Sequence, residues 1–441
     1  MCYNDSIYGM LSRLGKSFLL IFSEEHHRFL WQAPVLFFTK VRMDTMRIVL
    51  FTEAYLPQVG GVISHVSFLA EQLTSMGHEV LVAASDLNAR DFHLDHGILR
   101  CPAKEARNAY GFSMANPGSN EFSKMLERFK PDVIHVHTAS PMGQAAVKFA
   151  NRYDLPLVFT IHEYFEHQLH YLCSRIGEPF AKIKYRGMFR EMVDNADILT
   201  APSKKAEEYL QASKSKVPFT IIPNQVDSYF FHYQNISESK IQHLRRNLNL
   251  SPDSTVAIFA GRLTVDKSVE CLLEQWASQI KPSDNLHLLI VGDGPEAEPL
   301  SVWAHDLKIS SQVSFIGTVP HEKMPEYYAV SDVFVSASQH DLMSVAALEA
   351  VACGLPTLLP HDKWDASQVK EGVSGFSYRS AREFGEYLKK FASLSPHRRQ
   401  ILKRVVRSSI QDIPQHALAA QMLEVYGKAL RLHTYDDKTE P

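Results

Sequence analysis

The stretch SQHDLMSVAALEAVACGLP, residues 338–356, decides how the whole chain is read. It follows an apolar run, residues 333–337, of the kind that forms a buried strand. A polar turn comes next, then an almost wholly apolar helical pattern that stops at Gly354, with Pro356 just beyond. The unit is therefore strand, loop, helix. Inside the apolar helix stands one carboxylate, Glu349, between Leu348 and Ala350. Burying an unpaired carboxylate is costly, so this acid calls for a partner. Asp341 lies eight residues earlier, in the loop at the helix N-terminus. Free N–H groups and the positive dipole end at that place suit an anionic ligand. Taken alone, the stretch also suits a plain buried helix, with Glu349 at its edge and Asp341 in a turn. Its context separates the two.

The rest of the second half repeats the unit. Residues 256–260 read as a strand ending in Gly261-Arg262, with Lys267 just before a helix. Residues 286–291 run into Gly292-Asp293-Gly294-Pro295, and residues 313–316 form a further strand. Strands alternating with helices at this spacing imply a doubly wound domain, here 229–413. The Gly-x-Gly at 292–294 is by itself a weak sign of a nucleotide site. The full dinucleotide fingerprint is absent, which argues against NAD.

The first half follows the same plan. Residues 47–52 form a strand, a loop EAYLPQVGGV carries Gly60 and Gly61, a helix occupies 64–76, and the next strand begins at Glu79. This β-loop-α-β order opens another doubly wound sheet, with the Gly pair at a helix entrance. Residues 132–137 and 157–160 are further strands, and His162 follows the second of these. Open α/β sheets bind ligands at the carboxyl ends of their strands, so His162 falls where a substrate would. His135 and His137 alternate along one strand and read as core or cleft-lining residues, because no third metal ligand stands at a useful spacing. His167 and His170 sit three apart on an expected helix. Residues 175–190 concentrate Arg175, Lys182, Lys184, Arg186 and Arg190 among Phe180, Tyr185 and Phe189, a composition that suits a membrane surface or a solvated helix face. A last helix near 414–433 should return to the first domain's surface with one apolar face.

At 441 residues the chain exceeds one ordinary core, in keeping with two domains, 46–228 and 229–413. A formal net charge of −3 gives no basis for nucleic-acid binding. The five cysteines are scattered without CxxC spacing, which argues for reduced thiols in a cytoplasmic setting and against a zinc site. Residues 1–45 read as an appendage outside the fold, with a membrane-surface anchor as the functional alternative. No apolar run is long enough to span a bilayer.

In combination, LPQVGGVISHV, FAGRLTVDK, VGDGP and the stretch at 338–356 resemble the retaining GT-B glycosyltransferases of the large family-four type (glycosyl transferases group 1). The resemblance runs from about Met46 to His433. It implies an α/β fold of two Rossmann-like domains facing across a cleft, and transfer of a hexose from a UDP- or GDP-sugar. It implies that Arg262 and Lys267 hold the diphosphate, that Glu349 binds the ribose, and that Asp341 and His162 contact the transferred sugar. It places Gly60, Gly61, Gly261, Gly292 and Gly294 at the donor, with the N–H groups of Met343, Ser344 and Val345. Fixed cations suit a developing phosphate anion, so no metal and no cofactor beyond the nucleotide sugar are expected. The chain departs from the family pattern at Asp341, usually Glu, and at Met343-Ser344, usually an aromatic residue and Gly. The run from Thr160 to Tyr171, with the basic segment after it, is similar to bacterial diacylglycerol glucosyltransferases. That similarity implies a lipid acceptor, contacts at Lys182, Lys184, Tyr185 and Arg186, and peripheral attachment to a membrane. A polysaccharide or small-molecule acceptor, nucleotide-sugar binding without efficient transfer, and an epimerase or phosphorylase on the same fold are the other expectations kept open.

Overall fold

The computed structural model describes residues 45–105, 113–163, 178–213, 215–364, 369–410 and 413–436. The expectations for residues 1–44, His167, His170 and Arg175 lie outside these.

The first sheet contains β1 (Arg47–Thr52), β2 (Glu79–Asp86), β3 (His93–Asp95), β4 (Ile98–Glu105), β5 (Ser113–Ala115), β6 (Val133–Val136), β7 (Leu157–Thr160), β8 (Ile198–Ala201) and β9 (Phe219–Ile221). Their order is β3-β4-β2-β1-β6-β7-β8-β9, with β5 paired to β4. The second sheet contains β10 (Thr255–Ala260), β11 (Leu286–Val291), β12 (Val313–Gly317), β13 (Val333–Val335), β14 (Thr357–Pro360) and β15 (Gly375–Tyr378), in the order β12-β11-β10-β13-β14-β15. Its pairings are all parallel. Central strands such as β1 and β10 are buried almost throughout, as expected of parallel strands covered by helices on both faces.

Five helices bear on the site: α1 (Gly61–Ser75), α2 (Pro141–Tyr153), α3 (Glu178–Asn195), α4 (Val345–Ala352) and α5 (Ala417–Asp436). Each sheet has an apolar cluster on either face. Ile222 belongs with the first domain and Phe231 with the second, so the chain crosses between them. It crosses back before α5, whose Leu418, Met422, Val425 and Ala429 pack beside β1 and α1.

His433 fastens the far end of α5. Its Nδ1 lies 3.1 Å from Asp197 Oδ1 and its Nε2 3.2 Å from Asp154 Oδ1. Burial opposes the charge on this ring, but the two carboxylates outweigh it and raise its pKa above the ordinary value. Such a group stabilises fully below about 6.5 and loses its contribution as pH rises through the folded-state value. His433→Gln should therefore lower the melting temperature more at pH 6 than at pH 8.5. An equal loss at both values would show that the ring does not act as a cation.

Candidate active site

Each sheet reverses its strand order once, between β1 and β6 and between β10 and β13. Such switch points open a crevice at the carboxyl ends of the strands. The groups singled out at 162, 262, 267 and 341 lie at or near these ends. The two crevices face each other. A methyl group placed on Gly61, at the start of α1, would sit 3.6 Å from Val345 Cγ2, at the start of α4. One placed on Gly60 would sit 3.7 Å from Nη2 of Arg262. Two helix N-termini and a guanidinium thus converge, which makes the space between them attractive to a polyanion.

Lys267 ends a short 3₁₀ turn, Val265–Lys267, and donates from Nζ to Oδ1 of Asp341. Asp266 Oδ2 is 3.8 Å from the same nitrogen. Burial disfavours the ammonium, yet the two aspartates outweigh it and push its pKa above the usual lysine range. Burial likewise works against the Asp341 carboxylate, and Lys267 reverses the balance and holds its pKa low. Both groups are therefore charged. An anionic ligand in this space would compete with Asp341 for Lys267.

The loop before α4 is clamped to the first domain. Leu342 is buried within that domain's core, and Asn224 donates from Nδ2 to the Met343 carbonyl at 3.0 Å. Ser344 caps α4, its Oγ accepting from Ala347 N at 3.3 Å. Further along the cleft, Lys205 of the first domain donates to Asp362 and to the Gln339 carbonyl, and Trp364 Nε1 donates to Glu208 at 2.7 Å. These bonds join the two domains.

Glu349 has its partners inside its own domain. It accepts from Tyr328 Oη at 2.9 Å and from His321 Nε2 at 3.0 Å. The bond to Glu349 raises the His321 pKa, against the effect of burial. The acid that looked unpaired is thus satisfied before any ribose arrives.

Two of the expected donor glycines have another reason to be glycine. A Cβ on Gly292 would lie 1.9 Å from the Gly261 carbonyl oxygen, and one on Gly294 would lie 2.4 Å from that of Leu263. Close packing between the loops after β10 and β11 requires both.

On the first-domain side, His162 is half-buried after β7. His137, at the end of β6, places Nδ1 2.9 Å from His162 Nε2. His65, one turn into α1, brings its ring centroid within 4.6 Å of that of His162. Nitrogens of His65, His137 and His162 all lie within 4.8 Å of one another. His135 and His137 are buried, as core or cleft-lining residues should be, and a third ligand candidate that sequence spacing did not show, His65, comes from a distant helix. Its place was legible, because Gly61 and His65 are four apart and share a helical face.

The basic segment also needs one correction. Tyr185 is buried, and with Phe189 it belongs to the first-domain core. Lys182 bridges Glu178 at 2.8 Å. The outward face of α3 instead carries Phe180, 73% exposed, and Ile183, 67% exposed, beside the exposed Lys184, Arg186 and Arg190. No helix among the described residues is long and apolar enough to cross a membrane.

Residues 59–229 match the family model described as Glycosyltransferase Family 4, and residues 240–405 that of Glycosyl transferases group 1. The alpha-monoglucosyldiacylglycerol synthase of Acholeplasma laidlawii is 29% identical over 348 residues, 78% of this chain and 87% of the relative. The protein of the same name from Streptococcus pneumoniae is 26% identical over 401 residues, 88% of this chain and 85% of its own. Among solved structures, a sucrose-phosphate synthase from Thermosynechococcus elongatus superposes with a TM-score of 0.67 at 19% identity, covering 88% of this chain and 99% of that one. This last likeness is one of fold, and it matches the two facing Rossmann-like domains expected from the sequence.

Proposed function

The chain belongs to the GT-B glycosyltransferases of the family-four type, and on that premise we propose that it moves a hexose, with retention, from a UDP- or GDP-sugar to a membrane lipid such as diacylglycerol. One observation carries the donor half of this reading: the ion pair of Lys267 and Asp341 stands beside Arg262 where two helix N-termini meet. A diphosphate leaving group develops negative charge, and pre-organised cations and N–H dipoles stabilise it without a metal. Asp341, once exchanged off Lys267, and His162 from the opposite domain then orient the sugar. Relatives named for an alpha-linked product support retention, since an α-configured donor that gives an α-product keeps its configuration.

The acceptor half rests on the same two relatives and on α3. Helices in a doubly wound fold run antiparallel to their strands, so the start of α3 lies at the cleft edge of the sheet. Phe180 and Ile183 in its first turns, flanked by cations, suit an anionic bilayer surface. We expect Phe180→Ser, Ile183→Ser and Lys184→Ala together to abolish most sedimentation with anionic phosphatidylglycerol vesicles. The lysine alone contributes about 1 kcal/mol, or roughly fivefold. Hydrolysis of donor without acceptor should not change, because Arg262, Lys267 and Asp341 sit in the other domain and none of the three substituted residues belongs to the donor site. Equal vesicle binding by the variant and the parent would remove α3 from the acceptor surface. Screening UDP- and GDP-hexoses with and without diacylglycerol vesicles tests the function as a whole. Product formation with soluble saccharides alone would favour the saccharide acceptor.

A further inference from the structure

Four histidines meet behind the cleft, and only His162 reaches solvent. His65, His135 and His137 are at most 2% exposed. We propose that His137 is a positioning residue for the transfer reaction: it donates Nδ1–H to His162 Nε2 and so fixes His162 as the neutral tautomer that offers Nδ1–H to the cleft. This rests on the glycosyl-transfer function set out above.

The protons are assigned by counting partners. The 2.9 Å contact between His137 Nδ1 and His162 Nε2 needs one proton between two neutral imidazoles. If His162 donated it, His137 would carry its own proton on Nε2, which is buried and has no partner among the described residues. If His137 donates, Nε2 is left as a bare lone pair. An orphaned buried N–H is the rarer arrangement, so His137 is the donor. His162 then bears its single proton on Nδ1.

A second chain of bonds holds His137 in place. Its ring lies 3.9 Å, centroid to centroid, from that of His135. His135 Nδ1 is 2.8 Å from Tyr426 Oη of α5, and its Nε2 is 2.6 Å from Thr160 Oγ1, itself 2.5 Å from Thr200 Oγ1. Tyr426 has no other partner among the described residues for its O–H, so it donates to His135. The ring nitrogen at Nε2 then donates to Thr160, and Thr160 to Thr200. The returning helix thereby fixes one orientation of His135, whose ring packs against that of His137 at a 39° tilt.

The same nitrogens could instead converge on a metal ion. An ion there would take the place of the proton shared by His137 Nδ1 and His162 Nε2, so metal retention and the shared proton are mutually exclusive outcomes. The titratable groups facing the pair are His65 from α1 and His135 from β6. Tyr426 faces His135, and Glu163, next in the chain, acts on Lys267. Burial and the neighbouring imidazoles hold His137 and His162 well below the ordinary histidine value. Accepting a bond at Nε2 adds to this, because protonation there would break it.

Long-range ¹H–¹⁵N correlation spectra of the full chain with ¹⁵N-labelled histidine test the assignment directly. His162 and His137 should each show a protonated Nδ1 and a bare Nε2, unchanged from pH 8 to pH 5.5. An Nε2–H tautomer at His162, or zinc retained stoichiometrically through desalting, would overturn the proposal. His137→Leu removes the bond that opposes protonation at Nε2 while burial stays, so the His162 pKa should rise toward the ordinary value and kcat should fall more at pH 5.5 than at pH 8 while the parent stays flat. His137→Asn keeps a donor near Nδ1 and should restore the flat profile. A drop of equal size at every pH in His137→Leu, not rescued by Asn, would mean a merely structural role. The spectra need no turnover, so a wrong function and a wrong tautomer would be told apart.

Discussion

Arg262→Ala and Lys267→Ala should each lower kcat for sugar transfer by about two to three orders of magnitude, the range for losing one transition-state donor. Departure of the nucleoside diphosphate is the demanding step, and in the proposed reaction both cations meet the charge that develops there. The donor KM should move much less, because the contacts tighten as the bond breaks. Lys267→Ala carries a second effect. Asp341 lies beside it with a side chain only 21% exposed, and without the ammonium that carboxylate is left in a poorly solvated place. Stability should fall by on the order of 1–3 kcal/mol. Adding Asp341→Asn should recover much of this stability without recovering turnover. Steady-state kinetics and urea midpoints on both variants separate the two effects. Near-normal kcat in both would mean that the diphosphate binds elsewhere.

Gly292→Ala should be the most damaging single methyl group. Its Cβ would fall 1.9 Å from the Gly261 carbonyl oxygen, and Gly292 sits at φ +131°. Neither neighbour is a flexible side chain, so the ends of β10 and β11 must part. Backbone strain and overpacking together cost about 3–5 kcal/mol, a large share of an ordinary domain's stability. Gly187→Ala is the matched comparison. It lies on α3 with nothing within 4 Å of a new Cβ, and should stabilise by about 0.5–1 kcal/mol. Denaturant midpoints of the two variants should move in opposite directions. An unshifted midpoint for Gly292→Ala would show that the loops can part freely.

The sequence made the alternation of strands and helices plain because parallel strands bury both faces and so appear as unbroken apolar runs. Residues 47–52, 157–160 and 286–291 match β1, β7 and β11 residue for residue. The short antiparallel additions β3 and β5 were not anticipated, since three residues carry too little pattern. Arg262 and Lys267 in one local motif, and Asp341 in another, could be assigned to the cleft from the family resemblance that those motifs carry. Partnerships made across the fold could not. Lys205 with Asp362, Asn224 with the Met343 carbonyl, and His321 with Glu349 depend on how elements pack. Tyr185 was misplaced for the same reason: on a helix whose inward and outward faces both carry aromatic side chains, composition does not say which ring is buried.

The central claim is retaining transfer of a hexose to a membrane lipid without a metal. Its most direct test is the ¹H NMR spectrum of the product formed from an α-configured UDP- or GDP-hexose and diacylglycerol vesicles, in the presence of EDTA. The proposed function predicts a hexosyl-diacylglycerol whose anomeric coupling is that of the α-linkage, formed at the rate seen without chelator. A β-linked product, or loss of turnover on chelation, would contradict it.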